Sequence, residues 1–103
     1  MDLGRVTGTV VATQKNERLA GYKLLIVSLL TLEGKPTGAH VVALDTIGAG
    51  VGETVIVVRG SSARQAEGMG GVPVDASIIA IIDSIEVEGT IRYRKSDERW
   101  TMG

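Results

Sequence analysis

Two stretches of this chain are apolar on both alternations of a strand, Leu24-Leu25-Ile26-Val27 and Ile78-Ile79-Ala80-Ile81-Ile82. A strand with one face in water alternates apolar and polar residues, because successive side chains point to opposite sides. These two do not alternate. The chain is only 103 residues long, enough for one domain with a modest core. Phe is absent and Tyr22, Tyr93 and Trp100 are the only aromatic residues, so that core is aliphatic.

Five segments carry strand character: Arg5 to Thr13, Tyr22 to Leu32, His40 to Ile47, Thr54 to Arg59 and Ile78 to Val87, with a possible extension through Thr90 to Arg94. Turn chemistry separates them at Asn16-Glu17-Arg18, at Glu33 to Gly38, at Gly48 to Gly52 and at Glu67 to Pro73. No segment of useful length has helical periodicity. Short helical turns are expected near Ser61 to Ala66 and at Asp75-Ala76-Ser77, with Asp75 as the cap. The pattern predicts an all-β fold, a small OB-like five-stranded barrel. In so small a barrel only one strand face points inward, so the other must be covered. Another copy of the chain, or another protein, is the economical cover; loops and the C-terminal segment are the alternative.

The glycines of Gly48-Ala49-Gly50-Val51-Gly52 invite a dinucleotide-binding reading. That fingerprint requires G-x-G-x-x-G between a strand and a helix, and here the β-branched run Thr54 to Val58 follows. Gly60-Ser61-Ser62-Ala63-Arg64 lacks the lysine of a phosphate-binding loop. Both read as turns. His40 is the single histidine, cysteine is absent, and Asp45, Glu53, Asp75 and Asp83 stand singly, with turn hydrogen bonds or inter-subunit salt bridges as their simplest roles. Ser61 and Ser62 have no evident base beside them. No catalytic, metal-binding or cofactor-binding residue is assigned, and an enzyme is not expected.

The net charge of −1 gives no field to draw in a phosphate backbone or an anionic membrane. An OB-type module for single-stranded nucleic acid or a small ligand is the alternative reading. It would need aromatic stacking platforms along a basic groove. The one basic cluster, Arg92-Tyr93-Arg94-Lys95, runs into Asp97-Glu98 and reads as a solvated tail. Neither nucleic acid nor membrane is an expected partner. With no apolar leader and no cysteine, a cytoplasmic protein is expected.

Three motifs occur together: Gly48-Ala49-Gly50-Val51-Gly52-Glu53, Gly60-Ser61-Ser62-Ala63-Arg64, and Val74-Asp75-Ala76 followed by Ile78, Ile81 and Asp83. With the opening GRVTGTVVATQKNERLAGYKLLIV they resemble the pentameric vertex proteins of bacterial microcompartments, the carboxysome and ethanolamine-utilisation type. The resemblance runs over about residues 3 to 95. It implies a domain at 1–95 and a tail at 96–103, a barrel that assembles as a five-membered ring, and a place at the vertices of a shell built of hexameric and pseudohexameric proteins. Within such a ring Leu25, Val27, Ile79, Ile81 and Asp83 are expected at the subunit interface. The small residues Gly60, Ser61, Ser62 and Ala63 suit the crowded axis, with Arg64 anchoring the loop on a carboxylate; a peripheral turn with Arg64 in solvent is the alternative.

Overall fold

The computed structural model describes residues 1–19, 21–60 and 75–95, and the backbone of 99–100. Its strands are β1 (Asp2–Val10), β2 (Lys23–Leu30), β3 (Pro36–Asp45), β4 (Thr54–Arg59), β5 (Ala76–Ile81), β6 (Ser84–Val87), β7 (Thr90–Arg94) and β8 (Arg99–Trp100). A short 3-10 helix, Glu17–Leu19, lies between β1 and β2. The first five strands close a barrel in the order β1-β2-β3-β5-β4, and the last three form a separate sheet in the order β6-β7-β8. Every barrel pairing is antiparallel except β3 with β5, which closes the barrel through Leu44 opposite Ser77 and Asp45 opposite Ile78.

The inward faces supply the aliphatic core: Val6, Leu25, Val27, Leu29, Ala43, Ala49, Val55, Val57, Ala76 and Ile78, with Val41 and Ile81 packed against it. Each fully buried Val, Leu or Ile contributes roughly 1.5–3 kcal/mol of transfer free energy. Gly4 also faces inward, between Leu29 and Val55 in register. Val27 occupies the space its side chain would take.

Several expected boundaries move. The strand expected from Ile78 to Val87 divides at Ile82-Asp83: the Ile82 N–H donates to the Thr54 carbonyl at 2.8 Å, and the Lys95 N–H to the Asp83 carbonyl at 2.8 Å. Here the chain leaves the barrel for the second sheet. Asp75 caps no helical turn, because Ala76 already pairs with Arg59 across β4 and β5. Instead the Asp75 carbonyl accepts from the Gly60 N–H at 2.7 Å, tying the two ends of the 61–74 segment together. The helical turn expected at Ser61 to Ala66 lies outside the described residues. β3 runs from Pro36 to Asp45 where His40 to Ile47 was expected, starting four residues earlier, since proline is tolerated at the first residue of a strand. The basic cluster Arg92 to Lys95 is no solvated tail: it lies on and just after β7, and Tyr93 is buried.

Candidate assembly surfaces

Strand register sorts the barrel's outer residues into rows. One position from inward Gly4 lies the row Leu30, Leu3, Ile56 and Ala80, running across β2, β1, β4 and β5. All four are aliphatic and half-buried. The next outward row is polar: His40, Ser28, Arg5 and Thr54 on β3, β2, β1 and β4. Beyond it Ile26 pairs with Val42 and Leu24 with Val10, again aliphatic and, for Val42, 51% exposed. The outward positions are therefore aliphatic on both sides of a polar row in which Ser28 and Thr54 are buried, Arg5 is half-buried and His40 is exposed.

The residues expected at the interface fall on different sides of the barrel wall. Leu25 and Val27 are 1% and 0% exposed within a single chain and belong to its core, so they have no surface to offer a neighbour. The outward positions of β2 are Leu24 and Ile26 instead. Ile81 also packs on the core, Ile79 is half-buried, and Asp83 is exposed. In the expected axis loop Gly60 follows the end of β4 with φ +69°; Ser61, Ser62, Ala63 and Arg64 lie outside the described residues.

The glycine turn is a structural turn. Gly48 and Gly52 have φ of +85° and +93°, a region other residues rarely adopt. Between them Ala49 is fully buried, and its carbonyl accepts from the Lys23 ammonium at 3.0 Å. The turn is fastened to β1 by the Gly52 N–H on the Val6 carbonyl and the Val6 N–H on the Glu53 carbonyl, at 2.8 and 3.0 Å. Lys23 also faces Asp45 at 3.7 Å, and the other carboxylate oxygen of Asp45 accepts from the Ile47 N–H at 3.1 Å.

Glu53 joins this turn to the second sheet. Its Oε1 accepts from the Gly50 N–H and its Oε2 from the Lys95 ammonium, both at 2.7 Å. Beneath the clasp Arg5, Val51, Gly52, Glu53, Tyr93 and Lys95 line a cleft of about 170 Å³. Sequence reasoning missed this pair, since Lys95 lies 42 residues from Glu53 beside nearer acidic neighbours. Lys95 and then the Gly50 N–H hold the Glu53 carboxyl below its ordinary 4.5; Glu53 in turn holds the Lys95 ammonium above its ordinary 10.5. A carboxylate with a lowered pKa adds stability above its unfolded value and loses it as pH falls through the folded value. An ammonium with a raised pKa loses its contribution as pH rises through that value. The clasp is therefore complete between about pH 4.5 and 10.5. Glu53→Gln should flatten the fall in melting temperature below pH 4.5 relative to wild type. Identical acid slopes would show that the clasp adds nothing.

Among the described residues no group of three His, Asp or Glu gathers to hold a metal ion, and His40 stands exposed opposite Ser28. Among those residues no helix is long and apolar enough to cross a membrane. What the structure offers is a small, closed all-β barrel with aliphatic residues outside as well as within. Its relatives agree. Residues 1–83 match the family described as "Ethanolamine utilisation protein EutN/carboxysome", and the chain belongs to that family. It is 45% identical over 98 residues to the carboxysome shell vertex protein CcmL of Synechocystis sp., covering 95% of this chain and 98% of the relative. It is 52% identical to the bacterial microcompartment shell vertex protein GrpN of Rhodospirillum rubrum, covering 84% and 97%. Among solved structures, CcmL of Gloeobacter violaceus superimposes with a TM-score of 0.88 at 44% identity over 94% of this chain and 100% of the other. The structure titled "GrpN pentameric microcompartment shell protein from Rhodospirillum rubrum" gives 0.76 at 52% identity, over 84% and 99%.

Proposed function

We propose that five copies of this chain close into a ring that caps a vertex of a polyhedral bacterial microcompartment shell in the cytoplasm. The observation that carries the reading is the fold itself, shared over most of its length with relatives named as shell vertex proteins, one of them titled pentameric. The role is geometric. A sheet of hexagonal tiles stays flat unless pentagonal pieces are placed in it, so a five-membered ring both closes the shell and seals its corners. The partners are four further copies of this chain and, around the ring, hexameric and pseudohexameric shell proteins. No cofactor, nucleic acid or membrane belongs to the proposal, and the work is structural rather than enzymatic. Gly60 to Arg64 is the proposed lining of the axis, on the strength of its small side chains; the expected tail at 96–103 is not wholly outside the fold, since Arg99 and Trp100 pair with β7 as β8.

Native mass spectrometry at micromolar concentration should find five chains per particle, and cells lacking the protein should build elongated or leaky shells. A monomer at that concentration, or normally closed shells with no other vertex protein present, would overturn the reading.

A further inference from the structure

Two neighbouring residues of the barrel hold both legs of the second sheet. The Thr54 carbonyl takes the Ile82 N–H at 2.8 Å where the chain enters β6, and the Glu53 carboxylate takes the Lys95 ammonium at 2.7 Å where it leaves β7. Between these points β6 and β7 pair with each other, and among the described residues no strand of the second sheet joins a barrel ladder. Ile82 and Asp83, at the crossing, belong to no strand. Tyr93 is the one buried residue of β6 and β7; Ile85, its cross-strand neighbour, and Arg92 are half-buried, and the rest are exposed. The seam is also incompletely filled. A cleft of about 170 Å³ remains between Arg5, Val51 and Gly52 on the barrel side and Tyr93 and Lys95 on the sheet side. Nη1 of Arg92 is buried with no hydrogen-bond partner, which disfavours the packed arrangement.

We propose that β6 and β7 form an arm that swings away from the barrel as one unit about Ile82-Asp83, with Tyr93 as its anchor and the Glu53–Lys95 pair as its latch. A region that buries little apolar area opens at lower free energy than the core it adjoins. The barrel buries a continuous aliphatic cluster from Val6 to Ile78, whereas the arm buries Tyr93. Freeing the arm breaks no barrel ladder, since β4 and β5 keep their pairing from Val55 opposite Ile81 to Arg59 opposite Ala76. It breaks the Lys95 contact and uncovers Tyr93. The latch is weak, because the Lys95 and Glu53 side chains are 45% and 23% exposed and water competes for both. Asp83, at the crossing, also attracts the Lys95 ammonium, so the freed cation keeps a carboxylate close to the arm's own base. The device belongs to a single chain. Within the ring proposed above, it lets each subunit re-aim an arm toward a neighbouring shell protein while its barrel stays closed.

Hydrogen exchange of the full chain in its assembled form, followed by mass spectrometry or NMR, tests the hinge. The paired amides of β6 and β7 should exchange together, at least about tenfold faster than those of β1 and β2. Lys95→Met should speed the arm about two- to fivefold further and leave the barrel unchanged, whereas Lys95→Arg should exchange as wild type. Tyr93→Ala should speed the arm more than Lys95→Met does, with the barrel amides still protected. Arm amides as slow as those of the barrel would overturn the hinge, and so would a Lys95→Met effect that the barrel shares equally or that the arm does not show. The native mass of the same sample reports on the ring separately, so failure of the hinge and failure of the ring are told apart.

Discussion

Leu25→Ala is expected to lower the stability of the isolated chain by about 2–5 kcal/mol, the range for truncating a buried leucine. One residue along, Ile26→Ala should cost about 1 kcal/mol, as removal of a partly buried aliphatic side chain does. The contrast follows from the phase of β2. Leu25 is 1% exposed and packs within the barrel among Val6, Val27 and Val57, while Ile26 lies outside it, opposite Val42. A domain of this size has only about 5–15 kcal/mol in all, so the first substitution removes a large share of it. Urea unfolding of each variant, compared with wild type, checks both costs. Equal costs would mean that the two residues do not face opposite ways.

The residues that made the fold legible are those that hid the phase. Aliphatic runs and glycine turns placed the five barrel strands, and Gly48 and Gly52 read as turn residues because the strand Thr54 to Val58 follows them directly. But where Leu24, Leu25, Ile26 and Val27 are all aliphatic, hydropathy holds no contrast between inside and outside. The phase is set by pairing, Val6 opposite Val27 and Ile26 opposite Gly8 after an irregularity at Thr7. That pairing is long-range. The same holds for the break at Ile82-Asp83, in a run free of glycine and proline that local signals read as one strand. The Thr54 carbonyl takes the Ile82 N–H, and the chain turns out of the barrel there. At Asp75-Ala76-Ser77 a local capping signal was present and was overridden by the β4–β5 ladder. Glu53 and Lys95 left no local trace, since a contact across 42 residues has no sequence period.

Gly4→Ala, the smallest change possible at that position, is expected to destabilise the chain by about 1–3 kcal/mol, the usual cost of overfilling a packed core. Gly4 lies on the inward face of β1, opposite Leu29 on one side and Val55 on the other. A methyl group there would run into Cγ1 of Val27 and sit 3.2 Å from the Ser28 carbonyl oxygen. Neither neighbour can easily retreat. Val27 is β-branched, with few rotamers to choose from, and is 0% exposed in the closed barrel; the Ser28 carbonyl belongs to the backbone of β2. The absent side chain thus leaves the space inside the barrel that Val27, on the neighbouring strand β2, fills. If that is the reason for glycine, shortening Val27 should relieve the clash: Val27→Ala alone leaves a cavity, but combined with Gly4→Ala the total cost should fall below the sum of the two by about 0.5–3 kcal/mol, as coupled neighbours do. Strictly additive costs in that cycle would show that Gly4 is needed for the path of the β1 backbone and not for the space it leaves to Val27.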